Sequence, residues 1–176
     1  MPVRRFLDSP ASKAFRIYLE LYGRSKALLT SPYLYVAAAI AGGLFPIWLA
    51  ESGGSKTWPQ LAIDILPSMI GFSMGGMAIM LAFSNAKIFK TIAEDGDPKS
   101  YFMTIIANFF HFILAQTLGM IIALFASAYP NNILSFFGFW ALVYAMLVGV
   151  ATAGQLLMTA QIFNATASII KDDDNG

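Results

Sequence analysis

Four apolar runs govern what this chain can fold into. They cover roughly Ser31–Ala50, Leu61–Phe83, Met103–Tyr129 and Asn132–Phe163, each long enough for the ~20 residues that carry a helix across a bilayer. Lipid offers no hydrogen-bond partners to open backbone, so each run is expected as an α-helix. The runs are continuous rather than alternating, which argues against a membrane β-barrel. Of the 176 residues, 57% are hydrophobic and only 12% charged, too little polar surface to cover a soluble domain. The expected fold is an all-α integral membrane protein: a four-transmembrane-helix bundle over 31–163. An N-terminal amphipathic interfacial segment, 1–30, precedes it and an acidic tail, 164–176, follows.

Charge distribution sets the expected orientation. Arg4, Arg5, Lys13, Arg16, Arg24 and Lys26 precede the first run, Lys87, Lys90 and Lys99 separate the second from the third, and Lys171 follows the fourth. The first connection holds only Lys56, and the short "PNN" connection holds no basic residue. Basic flanks stay on the cytoplasmic side, so both termini are expected there. The basic N-terminus lacks an immediate apolar core and a small-residue cleavage site, so it does not read as a cleaved signal peptide. A net charge of +1 gives no electrostatic case for direct nucleic-acid binding.

The segment "SKAFRIYLELYGRSKALL" has helical periodicity, with Phe15, Leu19 and Tyr22 on one face and Lys13, Arg16, Glu20 and Arg24 on another. Such a helix is expected in the headgroup layer, anchored by Tyr18, Tyr22, Tyr33 and Tyr35. Arg16, Arg24, Lys26, Lys87 and Lys90 are candidate contacts to the membrane surface or a docking partner. The fourth run makes ~48 Å of helix, longer than the ~30 Å hydrocarbon core, so its last turns should project beyond it. Asp172, Asp173 and Asp174 oppose the helix dipole, and fraying is expected there. "EDGDP" (Glu94–Pro98) reads as a turn rather than a calcium loop.

Helix faces give the candidate contacts. Gly71 and Gly75 form a GxxxG, with Gly76, Ser68, Ser73 and Ala78 nearby, and small residues let helices approach closely in lipid. "AAAIAGG" (Ala37–Gly43) suggests that the first two spans pack together. Met69, Met74, Met77 and Met80 read as adaptable filler. In the third span Thr104, Asn108, His111, Ala115 and Gly119 fall on one stripe, and in the fourth Ala141, Ala145, Thr152, Gln155 and Thr159 form another. Candidates for helix packing or an oligomer interface are Gly71, Gly75, Gly76, Gly119, Thr152 and Gln155. Candidates for a polar intramembrane or pore site are Asp64, Asn108, His111 and Gln116.

His111, the chain's one histidine, is expected as a neutral imidazole bonded across a helix interface to Gln155, Thr152 or Asn108. Such contacts contribute ~0.6–2 kcal/mol. The sharper reading is a proton route or pH sensor. Asp64 is expected as a wet interfacial carboxylate or, in an oligomer, as one member of an acidic ring. No cysteine is present, which removes disulfides, thiolate zinc and a Cys nucleophile. No catalytic motif, metal site or cofactor site can be read from the sequence, and a non-enzymatic protein is expected.

"LPSMIGFSMGGMAIMLAF" (Leu66–Phe83) and "NFFHFILAQ" (Asn108–Gln116) resemble segments of small bacterial four-span proteins. The overall plan is similar to the membrane subunit of the Kiwa anti-phage defence system. That subunit works with a cytosolic, DNA-binding partner. The resemblance implies a multi-pass subunit of the bacterial inner membrane that docks a cytosolic protein, and it carries no functional residue; the small-residue faces of so small a bundle lead to the expectation of a homo-oligomer. The competing expectation is a homo-oligomeric ion channel or pore.

Overall fold

A computed structural model describes residues 9–22, 28–82 and 92–173, of which 166–173 are described as helix backbone. Arg4, Arg5, Arg24, Lys26, Lys87, Lys90 and Asp174 lie outside the described residues.

The order of elements is α1 (Pro10–Leu21), α2 (Pro32–Gly43), α3 (Phe45–Leu49), β1 (Glu51–Ser52), β2 (Ser55–Lys56), α4 (Trp58–Ala82), α5 (Tyr101–Ala128) and α6 (Asn132–Asp173). A 3₁₀ turn over Glu94–Gly96 occupies the acidic connection before α5. The all-α expectation is met apart from the four-residue hairpin β1–β2. Its Gly53 and Gly54 have φ of 59° and 80°, the left-handed pair that a two-residue hairpin turn demands and that glycine adopts without strain.

Among the described residues three helices are long and apolar enough to cross a membrane: Trp58–Ala82, Tyr101–Ala128 and Asn132–Ala165. They match the second, third and fourth apolar runs. The first run departs from the expected single span. It forms a 12-residue helix and a 5-residue helix joined at Leu44. Pro46 lacks the N–H that would bond to Gly42, so the backbone ladder stops there, after two glycines that weaken the last turn. α6 runs on past Phe163 to Asp173, beyond the expected end of the fourth span and through part of the acidic tail.

Side-chain caps fix three helix starts. Ser9 accepts from the Ser12 amide (3.3 Å) ahead of Pro10, and Ser100 accepts from Met103 (3.4 Å). Asn131 accepts from Ile133 and Leu134 at 2.8 and 3.3 Å, turning "PNN" into the cap of α6.

α5 is the central helix, packed against both α4 and α6, and α2 lies along α6. This corrects the expected pairing of the first two spans, since "AAAIAGG" meets the fourth apolar run instead of the GxxxG. Ala37 and Ala41 are buried in that contact. The core runs through Trp58, Leu66, Phe112, Phe139, Leu142 and Ala145. At the hairpin end Lys56 is buried. It bonds Glu51 (2.6 Å), Asn132 Oδ1 (2.6 Å) and the Leu49 carbonyl (3.3 Å), tying the hairpin to the start of α6.

Candidate functional site: the His111 cluster and its cavity

α5 carries His111 ten residues, ~15 Å, beyond its first residue. The small side chains on the same stripe, Ala115 and Gly119, are buried. Gly119 lies against Leu66 of α4 and the Ala141 backbone of α6. This close approach leaves room for an imidazole and its partners lower on the stripe.

Those partners are tyrosines. Tyr18 of α1 places its hydroxyl 2.7 Å from His111 Nδ1, and Tyr144 of α6 places its own 2.8 Å from Nε2. Tyr22 stacks on the ring with centroids 4.2 Å apart. A neutral imidazole has one N–H and one lone pair, so one tyrosine donates to it and the other accepts, which both phenols can do. His111, Tyr18 and Tyr144 are all buried, and the chain of bonds joins α1, α5 and α6. Burial pushes the Tyr18 phenol up to about 12, with the neighbouring Tyr22 phenol adding to the rise. Burial raises Tyr22 as well.

The expected partners of His111 were Gln155, Thr152 and Asn108. The structure puts all three nearby but bonds none of them to it. Instead, with Tyr22, Tyr33 and His111, they line a cavity of about 500 Å³. Thr152 turns back to the Val148 carbonyl of its own helix (2.9 Å). Gln155 Oε1 is buried without a partner, and Val148, Val150 and Met158 form the apolar wall. The tyrosines had a readable signal: a mid-span Tyr144 must satisfy its hydroxyl, and it lies between Ala141 and Ala145 on the buried face of α6.

The other candidates separate. Gln116 is fully buried and donates to Ser73 Oγ (3.3 Å) across the α4–α5 contact, so within the chain it is a packing residue. Gly76 approaches the Phe109 ring, whereas Gly71 and Gly75 have nothing within 4 Å of where a Cβ would stand. Asp64 is exposed and accepts from Gln60 (2.8 Å). Arg16 is exposed on α1. Among the described residues no group of three or more His, Asp or Glu gathers as metal ligands.

No protein-family model, curated protein or solved structure matches the chain. Fold and site therefore define its class on their own: a helical membrane protein with three long apolar helices and a buried histidine–tyrosine cluster.

Proposed function

We propose that the chain is a non-enzymatic membrane sensor or anchor subunit, homo-oligomeric, that docks a cytosolic protein through its N-terminal helix; the anti-phage defence subunit that its plan resembles also works with a cytosolic partner. In this reading it sits in a bacterial inner membrane with both termini cytoplasmic, and α1 lies in the interface. α2 and α3 together serve as a short fourth span. They hold no charged residue and make ~26 Å of helix, and a bilayer accommodates the shortfall by thinning locally. Lys56, the one basic residue placed outside, is ion-paired with Glu51, so it opposes the orientation weakly.

The observation that carries the proposal is the Tyr18–His111–Tyr144 bridge. α1 exposes Lys13, Arg16 and Glu20, while its Tyr18 is bonded into the bundle, so a partner pulling on α1 works directly on α5 and α6. The test is native mass spectrometry of the assembly purified from native membranes, with and without residues 1–22. A soluble protein at fixed stoichiometry, lost with that segment, is expected. An assembly of this chain alone overturns the proposal.

One observation favours the second reading, a homo-oligomeric channel. Asp64, Ser68, Gly71 and Gly75 are all exposed on one stripe of α4, a face suited to close packing between copies. Around an axis Asp64 then repeats as a cation-attracting ring. Bilayer conductance reduced by Asp64→Asn is the expected outcome for that reading.

A further inference from the structure

We infer that the outward face shared by α4 and α6 is the contact between two copies of this chain, a two-fold dimer in which Phe72 of each copy enters a groove of the other. The inference rests on the homo-oligomeric part of the proposed reading and names the face and the number of copies. It does not require a cytosolic partner.

The groove follows from the way the helices pack. α4 and α6 each lie on α5 and touch each other little, so a furrow opens between them on one side of the bundle. Its floor is Phe112 of α5, whose ring packs against Gly149. Ser68, Met69 and Phe72 of α4 make one wall, and Met146, Val150 and Ala153 of α6 make the other. The furrow holds about 390 Å³, more than one benzyl side chain fills. Phe72 stands on its rim and is 75% exposed, and Val150 across from it is 71% exposed.

Symmetry then selects the occupant. Copies inserted in one bilayer with the same orientation can share a two-fold axis only along the membrane normal, so each residue meets the partner copy at its own depth. A knob and a groove can therefore engage reciprocally only if both lie at one depth, and Phe72 lies on the rim of this groove. An aromatic anchor seated in a facing pocket is the usual core of a strong interface. Polarity argues against acyl chains as the cover of this face. Asp64 and Ser68 are exposed on the same side of α4, in a span where such side chains ordinarily face protein. Ser68 stands ~40° round the helix from Phe72 and Asp64 ~80°. The serine thus falls within the contact, while the two carboxylates stay at its rim, apart from one another.

The test uses the full chain in mild detergent, weighed by native mass spectrometry across a dilution series. A dimer is expected, and Phe72→Ala should weaken it at least ~10-fold, the scale of a lost aromatic anchor. Ala153→Phe, which fills the groove from its own copy, should weaken it as well; both positions are exposed, so unfolding of the monomer should be unchanged. In membranes, oxidation of Ser68→Cys in this cysteine-free chain should link two copies, whereas Leu118→Cys, exposed on α5, should not. If Ala153→Phe fails to fold, Phe72→Ala and the Ser68→Cys link decide. A chain that stays monomeric, with or without lipid retained in the groove, and unlinked at Ser68→Cys overturns this inference and the homo-oligomeric reading together. An assembly of more than two copies, one indifferent to Phe72→Ala, or one linked through Leu118→Cys rather than Ser68→Cys overturns this inference alone.

Discussion

The two ends of the bundle are closed by different means. At the hairpin end, a buried lysine and a fully buried tryptophan leave no slack. Lys56 joins three partners, and Trp58 presses so closely on Gly138 that a Cβ there would overlap the indole. At the histidine end α1, α5 and α6 are joined by neutral hydrogen bonds, with a cavity beside them. Dense packing tolerates little change, whereas a loosely filled, hydrogen-bonded region can shift between arrangements. In the proposed reading the first end anchors the bundle and the second responds.

Glycine substitutions test that contrast most strongly. Gly138→Ala should lower stability by about 3 kcal/mol, the upper range for overpacking, because the added methyl overlaps the Trp58 indole and meets Ile122 at 2.9 Å. Gly154→Ala, in open space, should be neutral or stabilise by up to ~1 kcal/mol through helix propensity. Thermal unfolding in one detergent compares them, and equal losses would erase the distinction between the ends. Next in size is His111→Ala, with a loss of about 2 kcal/mol from two interhelical bonds and two orphaned phenols. Lys56→Met should lose only about 1 kcal/mol. Its carboxylate partner Glu51 is half exposed, so water screens the pair and no charge is left buried.

The smallest effect depends on pH. The Tyr18 phenol is raised from 10.0 to about 12 in the folded chain. A group whose folded pKa lies above its unfolded value favours the fold fully below the unfolded value, and that contribution disappears as pH rises through the folded one. The α1 attachment should therefore hold up to about pH 10 and weaken toward pH 12. Tyr18→Phe should reduce this dependence, leaving the part that the raised Tyr22 phenol contributes, as read from tyrosinate absorbance alongside unfolding.

Much of this architecture was legible in the sequence. Long apolar runs have one solution in lipid, and that fixed the helices from Trp58 onward. The small-and-polar stripe through His111 marked a buried face, because helical spacing alone brings Ala115 and Gly119 into line with it. The break at Leu44 was hidden because glycine and proline inside an apolar run read as membrane-compatible. The neighbours of His111 were hidden for another reason. Tyr18 is 93 residues away in sequence, and its pattern suited a headgroup anchor as well as a hydrogen-bond donor. Nor does a GxxxG state which way it faces: Gly71 and Gly75 look outward, while the closest approaches within the chain use Gly138 and Gly149. Gly149 sits against Phe112, and such contacts depend on the register of α5 against α6, which periodicity leaves open.

The central claim is that His111 holds α1 against the bundle. The chain has no cysteine, so Lys13→Cys and Lys99→Cys, both exposed, can be spin-labelled as a clean pair and their separation measured by pulsed electron resonance in nanodiscs. A single narrow distance distribution that broadens in the His111→Ala background is the predicted result. A distribution already broad in the histidine-containing chain, or one that stays narrow without the histidine, would contradict the account.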